Sequence, residues 1–122
     1  GVADLVRQIG YADSREVLWA SDVSVLPSRN EGFGLVVVES MLCKVLTVRT
    51  PAAGAYDQIE DGVNGFIIPF DNYEALATCL HQLLTDSELK NTMAEAALVS
   101  AKNKFTQRVM IEKTVAVYEE VL

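Results

Sequence analysis

Cysteine occurs twice and histidine once among these 122 residues, and no apolar run approaches the roughly 18–20 residues that cross a bilayer. Cys43 and Cys79 stand far apart, with no CxxC spacing and no histidine beside them, so neither a zinc site nor a disulfide framework is indicated. Both read as buried thiols. The lone His81 falls between Leu80 and Leu83 in a helical pattern and reads as a structural or surface residue. Positive charge is also scarce: ten Lys and Arg against seventeen Asp and Glu give a net charge of −7, and the basic residues are scattered. That distribution excludes a polyanion groove or an anionic-membrane patch, and with them nucleic acid as a partner. The first twenty residues lack the basic start and apolar block of a signal peptide, so the cytoplasm is the expected location.

What is present is a core. Half the residues are hydrophobic and 22% are charged, which fits a folded α/β or α domain. A chain of this length buries about two thirds of its unfolded surface. "LVRQI" at residues 5–9 alternates and ends at Gly10, as a short strand would. A chain that opens on Gly1 with strand-like pattern already in its first ten residues is expected to be a piece of something longer.

Asp13 or Ser14 then caps a two-turn helix through Trp19, and "DVSVLP" at 22–27 is a buried strand stopped by Pro27. A polar loop, 28–33, leads to a helix over about 34–43. "VLTVR" at 45–49 is a second strand, followed by a small-residue loop, a helical turn near 55–59, "EDGVNG" turn chemistry and the strand "FIIP". Asp71 or Asn72 caps a helix reaching about Thr85. Further helices cover 87–103 and 107–121, the last with Val109, Ile111, Val115, Tyr118 and Leu122 on a broad apolar stripe. Strands alternating with helices predict a parallel sheet with helices on its faces, and ligands in such sheets sit at the carboxyl ends of the strands.

The loop 27–34 is such a place. A helix beginning at Gly34 turns the free amides of about residues 34–37, and a partial positive charge, toward whatever lies beyond its end. Gly32 and Gly34 remove side chains where a phosphate would approach the backbone. Glu39 lies one turn below Leu35, roughly 6 Å along the axis. A carboxylate there can accept hydrogen bonds from the vicinal hydroxyls of a ribose whose phosphate sits at the helix end. Glu31, ahead of the helix, would face a second sugar. The plainer readings are a solvated loop acid for Glu31 and a solvent-facing helix edge for Glu39. The apolar neighbours Val36, Val38, Leu42 and Cys43 argue against the second.

Four stretches together resemble one family in the right order. "LWASDVSVLPS", "EGFGLVVVES" with its two glutamates, "DGVNGFIIPFDN" and "FTQRVMIEKTVAVYEEVL" are similar to the C-terminal, nucleotide-binding domain of the retaining, GT-B-fold glycosyltransferases of group 1. The resemblance covers nearly the whole chain. It implies an α/β fold: a truncated Rossmann-like parallel sheet flanked by helices, with C-terminal helices, forming one partial domain over 1–122. It makes Glu31 the glutamate that meets the donor sugar in catalysis and Glu39 the one that binds the ribose. Phe33, Gly34 and Leu35 would contact sugar and phosphates through their backbone, and the base would lie near Tyr11 and Ser28. The donor would be a nucleotide-diphosphate sugar, with no metal and no further cofactor.

The family's Arg and Lys that grip the diphosphate, and its N-terminal acceptor domain, match nothing in this chain, although Arg29 lies close enough for a weaker anion contact. The chain alone is therefore expected to be inactive, with the N-terminal domain of the parent protein as a partner and any membrane attachment peripheral and through that parent. Lys44, Leu46, Ala53 and Asp57 depart from the family's usual residues and predict weaker donor binding by the loop 50–57. A glycosidase with paired carboxylates is the poorer reading, since Glu31 and Glu39 already have fitting roles. The second function class is a non-catalytic module that keeps the nucleotide-binding fold for binding or assembly, self-associating through an uncovered sheet edge.

Overall fold

Short β-branched strands, each followed by a loop that turns into a helix, build the molecule. In the computed structural model, which describes residues 1–122, α1 (Ser14–Trp19) leads to β1 (Val23–Leu26), α2 (Leu35–Leu42), β2 (Leu46–Arg49), α3 (Ala55–Gln58) and β3 (Phe66–Ile67). Three helices follow: α4 (Tyr73–Thr85), α5 (Ser87–Lys104) and α6 (Gln107–Val121). The strands pair in the order β1-β2-β3, all parallel, with Val23 opposite Leu46 and Val48 opposite Phe66. All four residues of β2 are buried, as befits the middle strand of a sheet covered on both faces.

The core gathers Val37 and Met41 of α2, Leu46 and Val48 of β2, Ile59, Ile68, Leu83 of α4, and Met93, Ala94, Ala97 and Ala101 of α5. The alanines recur at helical spacing on one face of α5, and α2 packs against this helix. Each fully buried aliphatic side chain here contributes about 1.5–3 kcal/mol. The 24 buried residues all lie between Leu18 and Ala101, and beyond them only the half-buried Phe105 packs against the core.

Three expectations are corrected at those margins. The strand over 5–9 does not form; Ala3–Leu5 make a single 3₁₀ turn and the rest is exposed and irregular. Alternation supplies a face, but a strand persists only where a neighbour takes its N–H and C=O groups, and β1 has a neighbour on one side alone. Helix α6 does form, yet it buries none of its residues; of the expected stripe only Val109 is half-covered. Cys43 and Cys79 are free and half-buried rather than buried. Burial pushes the Cys79 thiol above its ordinary value, with Asp61 adding to the effect. His81 is exposed on α4. No helix is long and apolar enough to cross a membrane.

Candidate functional site

The helix starts fall into two kinds. At α1, α4, α5 and α6 a side chain closes the first turn: Asp13 accepts from the Arg15 N–H at 2.9 Å, Asn72 from Ala75 at 2.9 Å, Asp86 from Leu89 at 2.9 Å and Thr106 from Val109 at 3.3 Å. Helices α2 and α3 begin instead on Gly34 and Gly54, at φ +81° and +76°, with no capping side chain. These two starts follow the carboxyl ends of β1 and β2, where an open parallel sheet receives its ligand. At α2 the Val37 N–H is already taken by the Gly34 carbonyl at 3.0 Å. The open amides are thus those of Gly34, Leu35 and Val36, a narrower set than the expected 34–37.

Between the two open ends lies a residue that sequence reasoning missed. Arg49, the last residue of β2, is fully buried. Its Nε donates to the Thr50 carbonyl at 3.3 Å, Nη1 to the Phe33 carbonyl at 3.4 Å and to Gln58 Oε1, and Nη2 to the Ala53 carbonyl at 3.1 Å. One guanidinium therefore ties the loop before α2 to the loop before α3. Gln58, also buried, continues the network by donating from Nε2 to the Gly34 carbonyl at 3.2 Å. Desolvation pushes the Arg49 guanidinium below its ordinary value, and the Glu31 carboxylate works in the opposite direction. The available signal was a single charged residue ending a β-branched strand of an expected parallel sheet, where a buried run is normally apolar.

Glu31 is half-buried, and its Oε1 accepts from the Gly32 N–H at 3.2 Å. Gly32 is exposed, with open space where a Cβ would stand. The Phe33 ring meets Phe105 edge-on with centroids 5.6 Å apart, while Leu35 is exposed. Glu39, half-buried one turn further down α2, lines a cleft of about 570 Å³ together with Tyr11, Asp13 and Ser14. It also borders a cleft of about 390 Å³ carrying Trp19 and Leu42.

Tyr11 and Glu39 are thus brought together. Ser28 is not part of that cleft; its carbonyl turns inward and accepts from Thr50 Oγ1 at 2.6 Å. Arg29, expected to make a weaker anion contact, is not among the residues of the clefts beside Glu39. Its guanidinium pairs with Asp71, both side chains exposed, beside a separate cleft of about 420 Å³ that includes Pro27, Thr50 and Phe70. On α1, the hydrogen bond from Arg15 holds the Asp13 carboxyl down at about 2.

The sequence model of the family described as glycosyl transferases group 1 matches residues 2–99. The chain is 32% identical over 122 residues to the N-acetyl-alpha-D-glucosaminyl L-malate synthase of Bacillus anthracis, covering 99% of this chain and 32% of that protein. It is 30% identical over 101 residues to the capsular polysaccharide biosynthesis glycosyltransferase CapM of Staphylococcus aureus, covering 83% of this chain and 27% of that one. It therefore spans about a third or less of these relatives. Among solved structures, Anabaena Alr3699/HepE in complex with UDP-glucose superposes with a TM-score of 0.80 at 32% identity, over 92% of this chain and 31% of that one. The three-stranded parallel sheet with its flanking helices is accordingly Rossmann-like, as in these neighbours.

Proposed function

The chain belongs to the glycosyl transferases group 1 family, and from that premise we propose that it is the donor-binding part of a retaining, GT-B-fold glycosyltransferase. The observation that carries the reading is the uncapped start of α2, with Glu31 ahead of it and Glu39 one turn down. The diphosphate lies on the open amides of residues 34–36, the ribose meets Glu39, the base lies toward Tyr11, and the transferred sugar faces Glu31. Transfer breaks the bond between the sugar's anomeric carbon and the diphosphate oxygen and forms one to an acceptor hydroxyl, with configuration retained. Charge builds on the departing diphosphate, and preorganised N–H donors at a helix end stabilise such charge without a metal. Support for a nucleotide sugar comes from the Anabaena neighbour, which holds UDP-glucose. The acceptor side belongs to another part of a longer protein, and this chain by itself is inactive.

The test is calorimetric titration of the chain with UDP, GDP and ADP and the corresponding glucose conjugates. Saturable binding is expected for one base. Glu39→Gln weakens nucleotide and nucleotide-sugar alike by about tenfold or more, the scale of a hydrogen bond to a charged group. Glu31→Gln weakens mainly the sugar conjugate. No saturation at millimolar ligand, or equal losses in both variants, contradicts the reading. A second reading, an assembly module, is favoured by the unpaired outer edge of β1 and the unburied α6. Sedimentation that shows a monomer at all concentrations removes it.

A further inference from the structure

Arg49 carries a buried charge with no ion-pair partner in the chain; the Glu31 carboxylate acts on it from a distance without bonding it. The ion pairs of the molecule join Asp13 to Arg15, Asp22 to Lys90, Arg29 to Asp71, Lys44 to Glu95 and Arg108 to Glu112, and Arg49 belongs to none of them. All the oxygens it bonds are neutral: three carbonyls and the Gln58 amide. A buried charge without a counter-charge is costly, and folded proteins ordinarily pair it or do without it. Of the five N–H groups of a guanidinium, Nη1 makes two bonds and Nε and Nη2 one each, which leaves one on Nη2 without an acceptor in the chain.

The position of this charge is specific. Nη1 lies 3.4 Å from the point that a Cβ on Gly34 would occupy, directly behind the open amides of α2. Glu31 Cγ lies 3.4 Å from the same point, but the Glu31 carboxylate hydrogen-bonds the Gly32 N–H rather than the guanidinium. Through Ala53 and Phe33 the same side chain holds the α3 start against the α2 start, where Gly54 allows the Phe33 carbonyl to come within 3.0 Å of its absent Cβ.

We propose that Arg49 is the fixed positive charge of this site, a positioning residue that ties the uncapped start of α2 to the loop before α3 and adds a whole charge behind the α2 amides for a diphosphate. It does not touch the ligand. It sets where the open amides point and supplies the field that an arriving dianion balances, so its effect falls on the phosphates and not on the nucleoside. This inference rests on the donor-site reading above.

The readout is the ratio of nucleoside to nucleoside-diphosphate dissociation constants, measured by calorimetry for the uracil, guanine and adenine pairs in parallel. Arg49→Met is expected to lower that ratio about tenfold, worth about 1.4 kcal/mol, with nucleoside affinity unchanged. Arg49→Lys, which keeps the charge but not the planar fork, is expected to restore most of it. Should Arg49→Met not fold, Gln58→Glu serves instead: it keeps an oxygen for the guanidinium and cancels its charge, while giving up the Nε2 bond to the Gly34 carbonyl, and it should lower the ratio at least as far. A wild-type ratio in Arg49→Met or in Gln58→Glu, or an Arg49→Lys ratio as low as that of Arg49→Met, overturns the proposal while leaving the donor site standing. Absence of diphosphate binding by the wild-type chain overturns both.

Discussion

Two glycines with one backbone conformation separate conformational strain from contact. Gly54 and Gly62 both sit at φ +76°, but a Cβ on Gly62 meets nothing within 4 Å, whereas one on Gly54 meets the Phe33 carbonyl oxygen at 3.0 Å, its Cα at 3.2 Å and its ring at 3.3 Å. Alanine at a left-handed position costs about 1–2 kcal/mol, offset by about 0.4–1 kcal/mol from the stiffer unfolded chain. Gly62→Ala should therefore destabilise by roughly 1 kcal/mol. Gly54→Ala carries the same term and a steric one. Two of its three contacts are backbone, and Phe33 is held from behind by Arg49 and from the side by Phe105. Overpacking against atoms that cannot withdraw adds about 1–3 kcal/mol. Urea unfolding of both variants, compared at constant m, reads the difference directly. Equal midpoints for the two would show that the loops before α2 and α3 are free to separate, and would refute the tight junction described here.

Two further outcomes follow from the periphery. The folded Asp13 carboxyl lies at about 2, below its ordinary 3.8, so its contribution to stability is complete above pH 3.8 and lost as the pH falls toward 2; an NMR titration of that carboxyl with a midpoint near 3.8 would contradict the Arg15 contact. Because α6 buries nothing, while α2 and α5 supply much of the core, its amides should exchange with solvent fastest among the long helices and those of α2 and α5 slowest; uniform protection in hydrogen exchange would count against this.

From residue 13 onward the element order was legible, because each short β-branched run ends in proline or a turn and each long helix opens on a capping side chain. The start of α2 near Gly34, with Glu39 a turn below Leu35, was legible for the same local reason, since helix geometry sets that spacing; the donor-site roles of Glu31 to Leu35 and of Glu39 rest on the resemblance and remain a proposal. What could not be read depends on contacts between distant segments. The apolar alternation at 5–9 looks like a strand, but the segment does not pair with the open edge of β1 and stays irregular. Nothing in the local sequence shows that Arg49 is bound by Phe33, Ala53 and Gln58, which come from two loops and a helix. Arg29, chosen for its nearness in sequence, pairs with Asp71 beside another cleft.

The glycine starts of α2 and α3 also constrain how the sequence can drift. Every capping side chain hangs from a Cβ, and at residue 34 that atom meets Leu26 Cδ2 at 3.1 Å, as at residue 54 it meets the Phe33 carbonyl. No single codon change can close either end with a serine, aspartate or asparagine without first moving a neighbour. Capping substitutions, which readily stabilise helix starts elsewhere, are resisted at both ends by the positive φ and by these contacts, more firmly at 54, where the neighbour is backbone, than at 34, where it is a leucine tip. The two ends are thus kept open by the packing around them, whatever they receive.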